Sequence, residues 1–198
     1  MLRRAEPVMG TVFSFTVRDP GPGTPGVLDR IAERLHRIDA VFSPYRADSD
    51  ISRLDRGELS LDACDPEVPA VLAACREVAA ETDGWFTERP GGRLDPSGWV
   101  KGWAVEEAAR MLHASGSREH CVSGGGDVQT AGGPWRVGIA HPLRPGRLAA
   151  VLGAAFGGAG GRHRLPFVES ASSMRNLPVQ RACGWWWARR SGESVRAV

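Results

Sequence analysis

The segment Gly-Arg-Leu-Asp-Pro-Ser-Gly-Trp-Val-Lys-Gly-Trp-Ala-Val-Glu-Glu-Ala-Ala-Arg-Met-Leu, "GRLDPSGWVKGWAVEEAARML", runs from Gly92 to Leu112 and contains Lys101, the only lysine among 25 Lys and Arg side chains. Trp99, Trp103, Ala104, Ala108, Met111 and Leu112 recur at helical spacing and predict an apolar stripe. Pro96, Ser97 and Gly98 mark the start of that helix and Gly116 its end. Asp95 and Lys101 therefore flank a helix N-terminus. Backbone N–H groups and the positive end of the dipole favour an anion there, and Lys101 adds a full charge about one turn in. The alternative on spacing alone is a capping aspartate beside a solvated lysine.

Outward from this helix, the pattern is mixed α and β. "TVFSFTV" (Thr11–Val17) has the β-branched and aromatic content of a strand, and "DPGPGTPG" (Asp19–Gly26) is a turn-forming connection. Leu28, Ile31, Leu35, Ile38 and Phe42 line one face of an amphipathic helix that stops before Pro44. "DSDISRL" (Asp48–Leu54) predicts a short capped turn. A further helix opens on Asp65 as N-cap with Pro66 at the first helical position, buries Val68, Val71, Leu72, Cys75 and Val78, and stops by Gly84. On the other side, "HCVSGGGDVQTAG" (His120–Gly132) predicts two short strands about a glycine turn, and "WRVGIAHP" (Trp135–Pro142) another strand. The glycines allow close approach of a backbone or a ligand, but the Gly-Lys-Ser/Thr ending of a P-loop is absent, and by itself this spacing is more often a tight turn.

Composition sets limits. A chain of 198 residues with 42% hydrophobic side chains can bury a proper core. The net charge of +2 comes from 25 basic and 23 acidic groups spread along the chain, so no basic tract marks a nucleic-acid partner. Cys64, Cys75, Cys121 and Cys183 lack the spacing of a zinc site and read as free thiols. No segment has the length and apolarity of a membrane span, and the N-terminus lacks the apolar run of a signal peptide, which leads us to expect a cytoplasmic protein.

Four segments in order, "MGT" (Met9–Thr11), "FSPYRADSDISRLD" (Phe42–Asp55), "RLDPSGWVKGWAVEEAARML" (Arg93–Leu112) and "SGGGDVQTAG" with "PWRVGIAHP" (Ser123–Pro142), resemble the ApbE-type flavin transferases. The resemblance covers roughly Met9 to Leu152. It implies an α+β fold of antiparallel sheets with packed helices, and Mg²⁺-dependent transfer of FMN from FAD to a Thr or Ser hydroxyl of a flavin-acceptor protein, releasing AMP. It also implies FAD contacts at Met9 and Tyr45, at Asp95 and Lys101, and beside the turn of Gly125, Gly126 and Asp127. Trp85, Phe86 and Thr87 stand where the family has a flavin-contacting Ala-Phe-Asp, so two of those positions differ. A magnesium-binding backbone carbonyl of the family falls on Gly98.

The resemblance fades after Leu152. The Thr-Ser-Gly segment, the His near an Asp-Pro pair and the Asp-Ala-x-x-Thr-Ala helix start of the family do not follow, and His163 lacks the family's neighbours. The tail, with "WWW" at Trp185–Trp187, resembles a shifted reading frame or a divergent extension. We therefore divide the chain into an FAD-binding region, 1–152, and a divergent tail, 153–198, with no catalytic residue assigned. Loss of the distal ligands predicts transfer that is slow or absent. A catalytically inactive FAD-binding remnant or flavin carrier is the alternative, and an interaction domain without a nucleotide site a third.

Overall fold

A computed structural model describes residues 1–141, 143–154 and 163–164. Its chain order is β1 (Leu2–Val8), β2 (Thr11–Val17), α1 (Thr24–Phe42), α2 (Asp50–Asp55), α3 (Glu67–Glu81), α4 (Ser97–Ala114), β3 (His120–Gly124), β4 (Asp127–Ala131), β5 (Trp135–Ala140), β6 (Leu148–Ala154) and β7 (His163–Arg164). One sheet has the order β1-β2-β3-β4-β7 and is antiparallel throughout, while β5 and β6 form a separate two-stranded ribbon. The mixed helical and antiparallel architecture expected from the sequence is what is found.

Pleat and register decide which side chains enter the core. Val17 faces His120 and Phe15 faces Val122, and these residues point to the side where α1 and α4 lie. Phe13, Phe15, Val17 and Val122 from the sheet are buried with Leu28, Ile31, Leu35, Ile38 and Phe42 of α1 and Val100, Ala104, Ala108 and Leu112 of α4. Burying aliphatic and aromatic side chains of this kind stabilises by about 1.5–3 kcal/mol each. The ring of Phe42 meets Trp103 edge-on at 5.7 Å, tying the end of α1 to the first half of α4. Arg34 of α1 holds α3 through a bidentate pair with Glu67 at 2.5 and 2.8 Å and lies over Trp103, so one guanidinium touches three helices.

The Asp-Pro signals at both helix starts act as expected. Asp65 Oδ1 accepts the Glu67 N–H at 3.0 Å, and Asp95 Oδ1 accepts the Ser97 N–H at the same distance. In each case the carboxylate satisfies an N–H of the first turn that the helix cannot bond itself. The short turn at Asp48–Leu54 is a helix capped by Ser49, whose hydroxyl accepts the Ser52 N–H. Strand β1 was not expected. Its core-side face carries Leu2, Arg4, Glu6 and Val8, and the charges are paired: Arg4 with Asp29 and Glu6, and Glu6 with His36. Pro7 is tolerated because β1 is an edge strand.

Candidate functional site at one end of the sheet

The topology gathers the motifs. β1 rises to Val8, turns through Met9 and Gly10, and descends as β2; β3 rises beside β2 to Gly124, turns through Gly125 and Gly126, and descends as β4. The two hairpin turns therefore stand at the same end of the sheet. α1 starts at the opposite end, after β2, and delivers Ser43 to Tyr45 here. α4 descends toward β3, so its N-terminus, with Asp95, Gly98 and Lys101, begins at this end too. Segments far apart in sequence thus share one edge of the fold.

Each turn has its own backbone requirement. Gly125 and Gly126 have φ of 62° and 99°, and a two-residue hairpin loop with positive φ at both positions matches the twist of the strands. The first hairpin meets the same requirement with Met9 at φ 55° and Gly10 at φ 68°. A left-handed methionine costs on the order of 1–2 kcal/mol relative to glycine, before its partial burial against the core is counted. Asp127 pairs with Gly124 on the helix-bearing face, which puts its side chain on the side of α4.

Lys101 is not a solvated side chain. It is half-buried, and its stem lies against Gly125: a Cβ built on that glycine would sit 3.0 Å from Lys101 Cδ and 3.8 Å from Cβ and Cγ. Among the described residues its ammonium has no hydrogen bond or ion pair. The start of α4 is less open than the sequence suggested. Ser97 N–H is taken by Asp95, and Trp99 and Val100 N–H both reach Pro96 O, at 2.9 and 3.0 Å. The capping role of Asp95 is observed, and the local cation is Lys101 rather than free helix amides.

Tyr45 is 90% exposed on a short, well-tied loop. Ser49 Oγ donates to Ser43 O at 2.6 Å, Arg56 donates to Ala47 O at 2.7 Å, and the Arg46 guanidinium holds Asp48 below the usual carboxylate range. Trp85 is 65% exposed, whereas the neighbouring Phe86 ring is buried in the core and offers a ligand only its backbone. Thr87 is exposed, its hydroxyl accepting the Arg89 N–H. One positioning residue escaped the sequence reading. Asp55, at the end of α2, accepts the Leu94 N–H at 3.0 Å and pairs with Arg89 at 3.2 Å, fixing the segment that leads into Asp95. Nothing in its spacing marks it, because both partners come from a loop distant in sequence.

Other groups are set for structure. Cys64 and Cys75 are buried thiols outside any disulfide, and burial pushes the Cys121 thiol up to about 11, which removes it as a thiolate at neutral pH; Cys183 lies outside the described residues. Among the described residues no three His, Cys, Asp or Glu side chains stand together as a metal site. The carbonyl expected from Gly98 would be one oxygen where magnesium needs near-octahedral coordination, so the residues named for that ion do not fit it on their own. Among them, too, no helix is long and apolar enough to cross a membrane. β6 continues to Ala154 and His163 pairs with Thr130; the remainder of the tail, including Trp185–Trp187, lies outside the described residues.

Comparison with known proteins bears on the same segments. No curated protein sequence matches the chain. A variant of the flavin transferase ApbE from Vibrio cholerae superposes with a TM-score of 0.61 at 20% identity, over 72% of this chain and 68% of that one. The apbe protein of Thermotoga maritima gives 0.68 at 16% identity over 95% and 89%, and the flavinyl transferase ApbE of Pseudomonas stutzeri 0.60 at 21% over 70% and 64%. At such identities the likeness establishes the fold. The ApbE family model matches residues 9–87 and 87–160, which take in both hairpin turns, the Tyr45 loop and the start of α4, and the chain belongs to the ApbE family.

Proposed function

We propose that this chain binds FAD at the end of the sheet where its two left-handed turns meet the start of α4, and that it transfers the FMN half to a protein hydroxyl. The observation that carries the reading is the seating of Lys101 against Gly125, with Asp127 on the same face and Tyr45 exposed at the same end. FAD offers an anionic pyrophosphate between two aromatic systems. A half-buried cation suits the first and exposed aromatic surface the second. Met9, Asp95, Gly126, Trp85 and the backbone at Phe86 and Thr87 complete the expected contacts.

The reaction is a phosphoryl transfer. A threonine or serine hydroxyl of the acceptor protein attacks the phosphorus on the FMN side, forming a phosphoester. The anhydride bond breaks, the hydroxyl proton is lost, and AMP leaves. Negative charge builds on the phosphoryl oxygens, and Lys101 is the cation among the described residues that this reading assigns to it. Magnesium is expected from the family. The described residues do not complete its shell.

The test is incubation of the purified chain with FAD, Mg²⁺ and a threonine-containing acceptor, with FAD fluorescence and acceptor mass followed together. Quenching with an FMN adduct supports transfer. A second reading, an FAD-binding protein without transferase activity, is favoured by the lack of a metal-ligand trio among the described residues. Quenching without an adduct supports it, and absence of quenching overturns both.

A further inference from the structure

Gly125 is usually explained by its turn, yet its surroundings ask for more. A two-residue loop with positive φ accepts asparagine or aspartate almost as readily as glycine. Here, a Cβ would come within 3.0 Å of Lys101 Cδ, and three carbons of the lysine stem lie within 4 Å of it. The preceding residue is restricted from the core side: a Cβ on Gly124 would stand 2.7 Å from the ring of Phe13, itself fully buried. The turn is packed between a phenylalanine ring and a lysine stem: a methyl group on Gly124 would clash with the ring, and one on Gly125 would push the lysine stem aside by a few tenths of an ångström.

We infer that Gly125 is a positioning residue whose bare Cα forms the seat of the Lys101 stem and so fixes where the chain's only ε-ammonium points. A lysine side chain has four rotatable bonds, and an unseated one spreads its charge over many positions. Laid against the turn, Lys101 holds its ammonium at the end of the sheet where Met9, Tyr45 and Asp95 lie. The inference rests on the reading of this end as the FAD site, and it adds what directs the cation there.

The single lysine allows a direct test. Reductive methylation with ¹³C-formaldehyde labels Lys101 and the α-amino group only, keeps the positive charge, and gives one ε-dimethylammonium resonance. Gly125→Ala should move that resonance in the absence of FAD and weaken FAD binding by roughly tenfold, less than the ~100-fold that a full ångström of misplacement can cost. Gly125→Asn tolerates a left-handed backbone better while bringing the same Cβ, and should do likewise if the alanine variant folds poorly. Gly146→Ala is the control, because Gly146 has φ 75° with nothing within 4 Å of the added carbon. It should lower the melting temperature and leave both the resonance and FAD affinity unchanged. An unmoved Lys101 resonance in both Gly125 variants overturns the seat. A moved resonance with unchanged FAD affinity overturns the link to the ligand and withdraws Lys101 from the proposed site, while equal loss of affinity in the Gly146 control reduces the effect to backbone strain.

Discussion

Lowering the pH from 7 to 4 should cost this fold about 3 kcal/mol through one side chain, His120. The imidazole is 2% exposed at the start of β3; burial, then the neighbouring His113, pull it down to about 4 against the opposing pull of Asp19 and the Ala109 carbonyl. In the unfolded chain it takes up its proton near pH 6.5. Between these values the unfolded state binds more protons, so stability is complete above pH 6.5 and declines as pH falls through 4. A difference of roughly 2.5 pH units at 1.36 kcal/mol per unit gives about 3 kcal/mol. Of the carboxylates with depressed values, Asp19 and Asp65 start to lose their contribution only near 3.8 and Glu6 near 4.5, at the foot of this window, and all three go on losing it below. The assay is urea unfolding at half-unit pH steps from 7 to 4 for the wild type and His120→Gln, which keeps a polar group beside Ser117 but cannot titrate. The two curves should converge as the pH falls. Parallel curves over the window would show that His120 is protonated as easily in the folded chain as outside it, and would refute the argument.

Four further outcomes are expected. Tyr45→Ala should weaken FAD binding by about 1 kcal/mol in a fluorescence titration and leave the melting temperature unchanged, because the ring is almost fully exposed. Lys101→Ala should weaken FAD binding by about 1.5–3 kcal/mol, as for a lost charged hydrogen bond, and by more than it lowers folding stability; unchanged affinity returns this lysine to the helix surface. Gly124→Ala should destabilise by about 1–3 kcal/mol in chemical denaturation, because the new methyl group meets the Phe13 ring. Asp55→Ala should cost about 1–3 kcal/mol by leaving the Leu94 N–H without its acceptor, and should also weaken FAD binding; preserved affinity would show that the segment before α4 holds its place unaided.

The helices were legible because their apolar residues repeat at the helical period and their starts carry local signals. Asp65 and Asp95 cap within two residues of themselves, a contact that sequence alone specifies. The Gly125–Gly126 turn was legible for the same reason. β1 was hidden because its core-side positions include Arg4 and Glu6, which are acceptable only when Asp29 and His36 of α1 lie opposite them. The first hairpin was hidden too, because methionine at a left-handed position runs against the usual turn chemistry. β6, "LAAVLGA", has no polar alternation to mark it, and its partner β5 meets it across an irregularity at Ile139 and Ala140.

For the site, the sequence named residue types and the topology supplied their meeting place. Lys101 was singled out by its rarity, and the expectation attached to it was that free helix amides would share its work. The fold divides the task differently. Asp95 closes the first amide of α4, Pro96 O takes the next available ones, and the lysine is carried on a glycine of another element. That arrangement lets the helix start be stable without a ligand, since the Ser97, Trp99 and Val100 amides are already bonded, while the cation stays without a partner among the described residues. A bare helix N-terminus would bind any small anion. A lysine aimed from a stem seated on Gly125, at the end of the sheet that also presents exposed Tyr45, instead favours an anion flanked by rings. FAD has that shape, and inorganic pyrophosphate, which offers the charge without the rings, should compete with it only weakly.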